Sequence, residues 1–238
     1  MPRVRADLLL VARGLAESRA KARAAIEAGG LTADGVRVDK PSELIGDDAV
    51  LELTPPHPWV SRGGVKLAHA LDVFGVDPAG RTCLDVGAST GGFTHVLVSR
   101  GAARVYAVDV GHGQLHALLR IDPRVVNLER TDARALTRAR IPEPPTLIVC
   151  DASFIGVAKV LAQALSLAAE HADLVALIKP QFEAGPGKGV ASEAKAREVA
   201  EQAIDALEGL AGFRIVMQSD SPIRGGDGNL EVLVHMRR

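Results

Sequence analysis

Residues 84–94 read LDVGASTGGFT, an apolar run that ends in an acid and passes directly into a glycine-rich turn. Such a run predicts a buried strand followed by a tight turn and the start of a helix. Small residues let the backbone approach a ligand closely, and a helix amino terminus offers unpaired N–H groups to a carboxylate. The spacing differs from the G-x-G-x-x-G of dinucleotide enzymes, because Ser89 stands two positions after Gly87. The stretch therefore predicts a ligand-binding loop at the end of a strand.

Strand-like apolar runs alternate with helical patterns on both sides of this loop. The predicted strands are 82–86, 104–109, 125–129, 147–151, 174–179, 214–219 and 230–236, and the predicted helices include 91–100, 113–120, 156–169 and 192–210. Continuous apolar strands that alternate with helices indicate an α/β fold with a mainly parallel sheet covered on both faces. In such a sheet, ligands bind at the carboxyl ends of the strands, where the strand order reverses.

Acids stand at the ends of four successive predicted strands: Asp85, Asp109, Asp132 and Asp151. Asp109 is placed to accept both hydroxyls of a ribose, and Asp132 suits the amino edge of an adenine. The alternatives are that these acids are helix caps and turn formers, or that the ligand is a nicotinamide cofactor. Together, the four acids and the glycine-rich loop favour a ligand that is an adenine nucleoside with a carboxylate tail. We therefore expect S-adenosyl-L-methionine as the cofactor. The predicted cofactor contacts are Asp85, Gly87, Ala88, Ser89, Thr90, Gly91, Gly92, Phe93, Asp109, Val110, Asp132, Ala133 and Asp151.

Two lysines and two acids stand where a charge is costly to leave unpaired. Lys179 closes an apolar strand in LIKPQFE, Glu231 begins another in GNLEVLV, and Lys66 lies in SRGGVKL. A buried charge needs a partner, so we expect Lys179 to face the crevice near Asp151. A desolvated lysine in this set could take the proton of an attacking ribose hydroxyl or polarise it. Each lysine alone could also be a surface or snorkelling side chain.

The region before residue 61 has the composition of a separate small module. Three prolines in residues 54–58, TPPHP, block helix and central strand alike, so we predict a linker at 54–60 between domains at 1–53 and 61–238. Helical spacing over 6–13 and 18–28 is followed by β-prone pieces at 36–38 and 49–53. These features predict a compact αα-plus-β unit.

Basic residues are concentrated at the start of this module, although the formal net charge of the whole chain is −1. They favour a phosphate-binding face, whereas acids dominate residues 34–52. A solvated helix surface is the alternative. The basic residues are Arg3, Arg5, Arg13, Arg19, Lys21 and Arg23, opposed by Asp7 and Glu17.

Composition excludes several other classes of protein. Hydrophobic residues make up 47% and charged residues 24%, which is typical of a globular protein, and no apolar run approaches the length of a membrane span. No signal peptide is evident, so we expect a cytoplasmic protein without a membrane partner. Cys83 and Cys150 lie in apolar runs and predict reduced core thiols. His112 and His116 have no third ligand, so we expect no metal site.

These motifs resemble a known family. Lys66, Asp151, Lys179 and Glu231 match the Lys-Asp-Lys-Glu tetrad of FtsJ-like 2′-O-ribose methyltransferases, and residues 5–45 look like an S4 RNA-binding domain. An S4 domain followed by WVSRGGVKL, DVGASTGGFT, DVGHGQL, DASFI and KPQFE is the arrangement of the TlyA, or haemolysin A, family.

The resemblance implies a fold and an activity. It implies a small α+β S4 domain before a Rossmann-like class I methyltransferase domain with a seven-stranded, mostly parallel sheet. The implied reaction is methylation of a cytidine 2′-hydroxyl in ribosomal RNA, with the tetrad as the catalytic group and ribosomal subunits as partner. The implied RNA contacts are Arg5, Arg13, Arg19, Lys21, Arg23 and Arg62. A membrane-active haemolysin and a non-enzymatic ribosome assembly factor are the alternatives.

Overall fold

The computed structural model describes residues 2–27, 29–54, 57–184, 190, 192–225 and 228–238. The chain divides into two compact units, Met1–Pro58 and Trp59–Arg238. Residues 55 and 56 of the predicted linker lie outside the described residues, as does residue 28 at the end of the second predicted helix. Each unit has its own hydrophobic core.

The first unit packs two short helices against small antiparallel sheets. Its elements are β1 (Arg3–Arg5), α1 (Ala6–Ala12), α2 (Arg19–Glu27), β2 (Leu31–Ala33), β3 (Val36–Arg37), β4 (Leu44–Gly46) and β5 (Leu51–Leu53). β1 pairs with β4, and β2 lies between β3 and β5. Leu10, Ile26 and Leu31 are fully buried between the helices and the strands. This is the predicted α+β module, with more strands than the sequence indicated.

The second unit alternates strands and helices. Its elements are α3 (Gly63–Phe74), β6 (Thr82–Val86), α4 (Gly92–Ser99), β7 (Arg104–Val108), α5 (Ala117–Arg120), β8 (Val125–Leu128), β9 (Leu147–Cys150), α6 (Val157–Ser166), β10 (Asp173–Ile178), α7 (Pro180–Glu183), α8 (Glu193–Leu207), β11 (Arg214–Asp220) and β12 (Val232–Arg237).

The seven strands of this unit form one sheet in the order β11-β12-β10-β9-β6-β7-β8. β12 is antiparallel to both of its neighbours, and the pairs from β10 to β8 are parallel. This confirms the predicted seven-stranded, mostly parallel sheet. The chain moves outward from β6 through β7 and β8 and then returns to place β9 on the other side of β6. The strand order therefore reverses between β6 and β9, which is where a crevice is expected.

Apolar side chains cover both faces of the sheet and form two cores. One core packs β6, β9 and β10 against α6 and α8, and the other packs them against α3 and α4. All six residues of β10 are buried, as a central parallel strand requires. Cys83 and Cys150 are buried free thiols within β6 and β9, as the sequence predicted.

Three helix predictions were wrong in their extent, and the helix predicted over 156–169 ends at Ser166. The helix predicted over 113–120 has only the four residues of α5, because Gly113 has a φ of 67° and Glu129 draws the loop away from helical geometry. The Glu129 carboxylate accepts the N–H groups of Gln114 and Leu115 at 2.6 and 3.0 Å. The helix predicted over 192–210 ends at Leu207, and a separate 3₁₀ turn, Leu210–Gly212, follows it.

The sequence pattern did not predict α3. This helix begins with Gly63 and Gly64, which are poor helix formers. The structure explains the second glycine, because a Cβ atom there would collide with the side chain of Trp59. The glycine is thus required by the close approach of the preceding segment. Among the described residues, no helix has both the length and the apolar character needed to cross a membrane.

Candidate active site

The register of the strands brings the predicted polar residues to one edge of the sheet. Val86 lies beside Val108 on one side and Cys150 on the other. In β10, which lies two strands from β6, Ile178 pairs with Val232 of β12. The residues next to these positions therefore leave the sheet at the same end. They are Gly87, Asp109, Asp151, Lys179 and Glu231.

The glycine-rich loop crosses this edge from β6 to α4. The N–H groups of Gly87 and Ala88 both donate to the carbonyl of Val108, at 2.9 and 3.0 Å. Gly87 has a φ of 84°, and a Cβ atom there would lie 2.9 Å from the backbone of Ala152. Only glycine combines this backbone conformation with so close an approach. The loop is therefore tied to β7 on one side and packed on the segment after β9 on the other.

Asp109 joins two loops at the end of β7. Its Oδ2 accepts the N–H of Ser89 at 2.8 Å, and its Oδ1 accepts the N–H of Gly111 at 2.7 Å. Each carboxylate oxygen has further lone pairs for a ligand. Asp132 lies at the start of a 3₁₀ turn, where hydrogen bonds from Arg134 lower its pKa. Both predicted ligand acids thus have fixed positions at the crevice.

A cavity of about 590 Å³ lies over the carboxyl ends of these strands. Its walls include both acids, the loop and the segment after β9. The predicted cofactor residues that line it are Gly87, Ser89, Asp109, Val110, Asp132, Ala133 and Asp151. The structure therefore brings together most of the residues that the sequence assigned to an adenine nucleoside.

A second cavity of about 410 Å³ adjoins the first. Four residues line both cavities, namely Gly87, Ser89, Asp151 and Ser153. Of the remaining predicted cofactor residues, Ala88, Thr90, Gly92 and Phe93 line the second cavity, and Gly91 lines neither. The second cavity also contains Arg62, Lys66 and Lys179. A group carried in the first cavity could therefore meet a group bound in the second one.

The four tetrad residues form two ion pairs. Lys66 Nζ lies 2.5 Å from Glu231 Oε2, and Lys179 Nζ lies 2.7 Å from Asp151 Oδ1. The side chains of the first pair are 9% and 3% exposed, and those of the second are 10% and 21% exposed. Buried charges are retained only when they are well paired. The residues come from four separate elements, at α3, after β9, after β10 and before β12.

Lys179 has two further partners. Its Nζ donates to the backbone carbonyl of Asp151 at 3.1 Å and to Ser153 Oγ at 2.8 Å. Ser153 was not among the residues predicted from the sequence. The only signal for it was a hydroxyl two positions after a strand-end acid, in DASFI.

Asp85 lies behind the cofactor loop. It is fully buried, it lines neither cavity, and its Oδ2 accepts the hydroxyl of Thr94 on α4 at 2.6 Å. Burial raises the pKa of Asp85 to about 7, and the hydrogen bond from Thr94 opposes this shift. The hydrogen bond joins the end of β6 to α4 and so stabilises the loop between them. Thr94 is a second residue that the sequence pattern did not single out.

The start of the second unit packs against α4. The N–H of Val60 donates to His95 Nδ1 at 3.2 Å, and the rings of Trp59 and His95 meet edge to face at 5.5 Å. Burial lowers the pKa of His95. Trp59 therefore packs within the second unit, against α4. Arg62, a predicted RNA contact, lies at the second cavity and donates to the carbonyl of Arg224 at 2.6 Å.

The basic residues of the first unit are held by local partners. Asp7 is completely buried and accepts hydrogen bonds from Arg5 and Arg19 at 2.9 Å, which holds the pKa of its carboxyl well below the ordinary range. Arg13 donates to the carbonyl of Ala49 at 2.5 Å. On α2, Lys21 forms an exposed ion pair with Glu17, which precedes the helix, and Arg23 forms one with Glu27. The predicted RNA contacts thus lie at the surface, with much of their charge already paired.

Within the described ranges, the structure contains no cluster of three or more His, Cys, Asp or Glu side chains suited to a metal ion. His116 instead caps the start of α5 through its Nδ1.

Comparison with known proteins agrees with this architecture. Residues 59–238 match the family described as FtsJ-like methyltransferase, and residues 4–51 match the S4 domain. A relative from Mycobacterium tuberculosis, named 16S/23S rRNA (cytidine-2′-O)-methyltransferase TlyA, is 45% identical over 99% of this chain and 90% of its own. Hemolysin A of Brachyspira hyodysenteriae is 39% identical over 98% of this chain and 99% of its own.

A solved structure is similar over the whole of this chain. It is described as a hemolysin from Streptococcus thermophilus, is 39% identical, and superposes with a TM-score of 0.76 over 100% of this chain and 89% of its own. The domain matches, the full-length relatives and the seven-stranded sheet all indicate one family. The chain belongs to the FtsJ-like methyltransferases, in the TlyA group that carries an amino-terminal S4 domain.

Proposed function

We propose that this protein transfers a methyl group from S-adenosyl-L-methionine to the 2′-hydroxyl of a ribose, specifically of a cytidine, in ribosomal RNA. One observation carries the proposal: a buried Lys-Asp-Lys-Glu set lies beside a cavity of about 590 Å³ that is lined by Asp109 and Asp132. The identity of 45% to a relative named as an rRNA cytidine-2′-O-methyltransferase supports the substrate class.

The first cavity fits the cofactor. Gly87 keeps its floor free of a side chain, and a Cβ atom there would fill the space next to Ala152. Asp109 would accept the ribose hydroxyls, Asp132 would face the adenine amino group, and the N–H groups of the loop would face the carboxylate. When bound, the cofactor supplies an electrophilic methyl group.

The tetrad supplies what the acceptor hydroxyl needs. A hydroxyl is a weak nucleophile, and its proton has to leave as the oxygen–carbon bond forms and the sulfur–carbon bond breaks. Lys179 lies in the second cavity, where its Nζ would orient the hydroxyl and, as the neutral amine, would take this proton to become the ammonium. The ion pair with Asp151 holds Lys179 in place. The ion pair with Glu231 holds Lys66, which also lines the second cavity. Alignment of the two groups provides much of the remaining acceleration.

The S4 domain provides the RNA-binding part of the proposal. Phosphate contacts from Arg5, Arg13, Arg19, Lys21 and Arg23 would position the RNA by charge and shape. Arg62 would contact the RNA close to the acceptor cavity. The target nucleotide has to leave its helix to enter that cavity.

The test is methyl transfer to defined ribosomal substrates. Purified full-length protein is incubated with labelled S-adenosyl-L-methionine and with free ribosomal RNA, each ribosomal subunit or the assembled ribosome. We expect label in at least one of these substrates, and about a hundredfold or greater loss of turnover in Lys179→Ala with cofactor binding retained. Lys159→Ala, at an exposed lysine of α6, serves as the control and should match the wild type. Absence of label from every substrate would refute the proposal.

A further inference from the structure

The amino group of Lys179 makes two hydrogen bonds and one ion pair within the protein. A lysine ammonium has three N–H donors and no acceptor. Here its Nζ donates to the Asp151 carbonyl at 3.1 Å and to Ser153 Oγ at 2.8 Å, and it forms an ion pair with Asp151 Oδ1 at 2.7 Å. Two of the three belong to a single residue. Among these three contacts of Lys179 Nζ, the hydrogen bond to Ser153 is the one that does not involve Asp151.

Ser153 also lies where the two cavities meet. It lines both of them, as Asp151 does, and it is half-buried. A serine hydroxyl that accepts from Lys179 still has its own proton and a second lone pair. The side chain is thus placed to influence the direction of Nζ at the point where methyl donor and acceptor have to be aligned.

The backbone around Ser153 is anchored rather than left as a free loop. Glu183 of α7 accepts the N–H of Val157, the first residue of α6, at 2.8 Å. At the other end, the N–H of Asp151 donates to the carbonyl of Val86 at 3.1 Å. Both ends of the segment 151–157 are therefore tied to the framework of the sheet and α7. The hydroxyl of Ser153 has a defined place relative to Lys179.

We propose that Ser153 is a positioning residue for methyl transfer, whose hydroxyl holds the Lys179 amino group at the junction of the two cavities. The inference rests on the proposed function, because it assigns Ser153 a role in the same reaction. Without the hydroxyl, Nζ keeps only its two contacts to Asp151 and turns away from the acceptor position in part of the population. The effect falls on the chemical step, since neither cavity loses a wall.

The test compares Ser153→Ala, Ser153→Thr and the control Ser166→Ala in the full-length protein. Ser166 is an exposed serine on α6 whose hydroxyl bonds the carbonyl of Gln163. We expect Ser153→Ala to lower kcat about tenfold to a hundredfold, which corresponds to the loss of one hydrogen bond to a charged group. The KM for RNA and the Kd for S-adenosyl-L-methionine should stay within about threefold. Ser153→Thr retains the hydroxyl and should recover kcat to within about threefold of the wild type.

Each contrary result overturns the inference. A wild-type kcat in Ser153→Ala, a defect confined to KM or cofactor binding, or no recovery in Ser153→Thr would mean that Ser153 does not position Lys179. Loss of cofactor binding in Ser153→Ala would indicate a merely structural role and count equally against it. If the wild-type protein itself labels no RNA, the proposed function fails, and this inference fails with it.

Discussion

Replacing Asp85 with asparagine should stabilise the second unit at alkaline pH. The Asp85 carboxyl is fully buried beneath the cofactor loop, and burial raises its pKa from 3.8 to about 7. Its one hydrogen bond to a side chain comes from Thr94 at 2.6 Å. Asparagine has nearly the same shape, keeps an oxygen for that hydrogen bond and carries no charge to desolvate.

The magnitude follows from the pKa shift. A shift of one pKa unit corresponds to about 1.4 kcal/mol, so a shift of about three units makes ionised Asp85 cost at most about 4 kcal/mol. A neutral acceptor makes a hydrogen bond about 1 kcal/mol weaker than a charged one, which reduces the gain. We therefore expect Asp85→Asn to raise the free energy of unfolding by about 2 to 3 kcal/mol at pH 8.

The pH dependence has a definite direction. Below about pH 4, Asp85 is protonated in both the folded and the unfolded chain, so it adds little pH dependence. Between about pH 4 and pH 7 the unfolded chain loses this proton while the folded chain keeps it, so stability falls as the pH rises. Above about pH 7 the cost is constant. The difference in free energy of unfolding between Asp85→Asn and the wild type should therefore grow from about pH 4 to pH 7 and stay constant above that.

Urea denaturation followed by tryptophan fluorescence measures this effect. Trp59 is the single tryptophan of the chain, and it packs on the core of the second unit. Asp77→Asn, at an exposed carboxylate of the same unit, controls for the general effect of removing an acid and should change stability by less than about 0.5 kcal/mol. An Asp85→Asn protein that is less stable than the wild type at pH 8, or whose gain does not vary with pH, would refute the reasoning.

Three further predictions concern the ion pairs. Glu231→Gln leaves the buried Lys66 without its charged partner, so turnover should fall and the second unit should lose about 3 kcal/mol of stability in urea denaturation; an unchanged protein would argue against the buried pair. The lowered pKa of Asp7 means that its contribution to the first unit is present above about pH 4 and is lost as the pH falls further; hydrogen exchange should detect this, and Asp7→Asn should remove that pH dependence. Combined Lys21→Gln and Arg23→Gln should weaken rRNA binding and reduce its salt dependence by about one unit of slope for each phosphate that is no longer neutralised, whereas Arg37→Gln in the same unit should not.

The sheet could be predicted from the sequence because its signal is local. β9 and β10 each end in a continuous apolar run, and an acid or lysine follows it directly, as in Cys150-Asp151 and Ile178-Lys179. Since parallel strands end at the same edge, the residues after them were expected to converge there. Strand register bears out that expectation for Asp109, Asp151 and Lys179.

Contacts made through space could not be predicted in the same way. The glycines that begin α3 disfavour a helix locally, and the second of them, Gly64, is explained by the close packing of Trp59 against it. The short α5 depends on Glu129, which bonds a loop more than ten residues away along the chain. Ser153 likewise gains its role from Lys179, which belongs to a different strand end. Such contacts leave no periodic pattern in the sequence.

The most direct test of the central claim is the identity of the nucleoside that the protein modifies. Ribosomal RNA from a reaction with S-adenosyl-L-methionine is digested completely to nucleosides and analysed by mass spectrometry, with Lys179→Ala run in parallel. We predict 2′-O-methylcytidine after incubation with the wild-type protein and none above background with the variant. Methylation on a base, or equal 2′-O-methylcytidine from both proteins, would contradict the assignment of the tetrad as the group that activates a ribose hydroxyl.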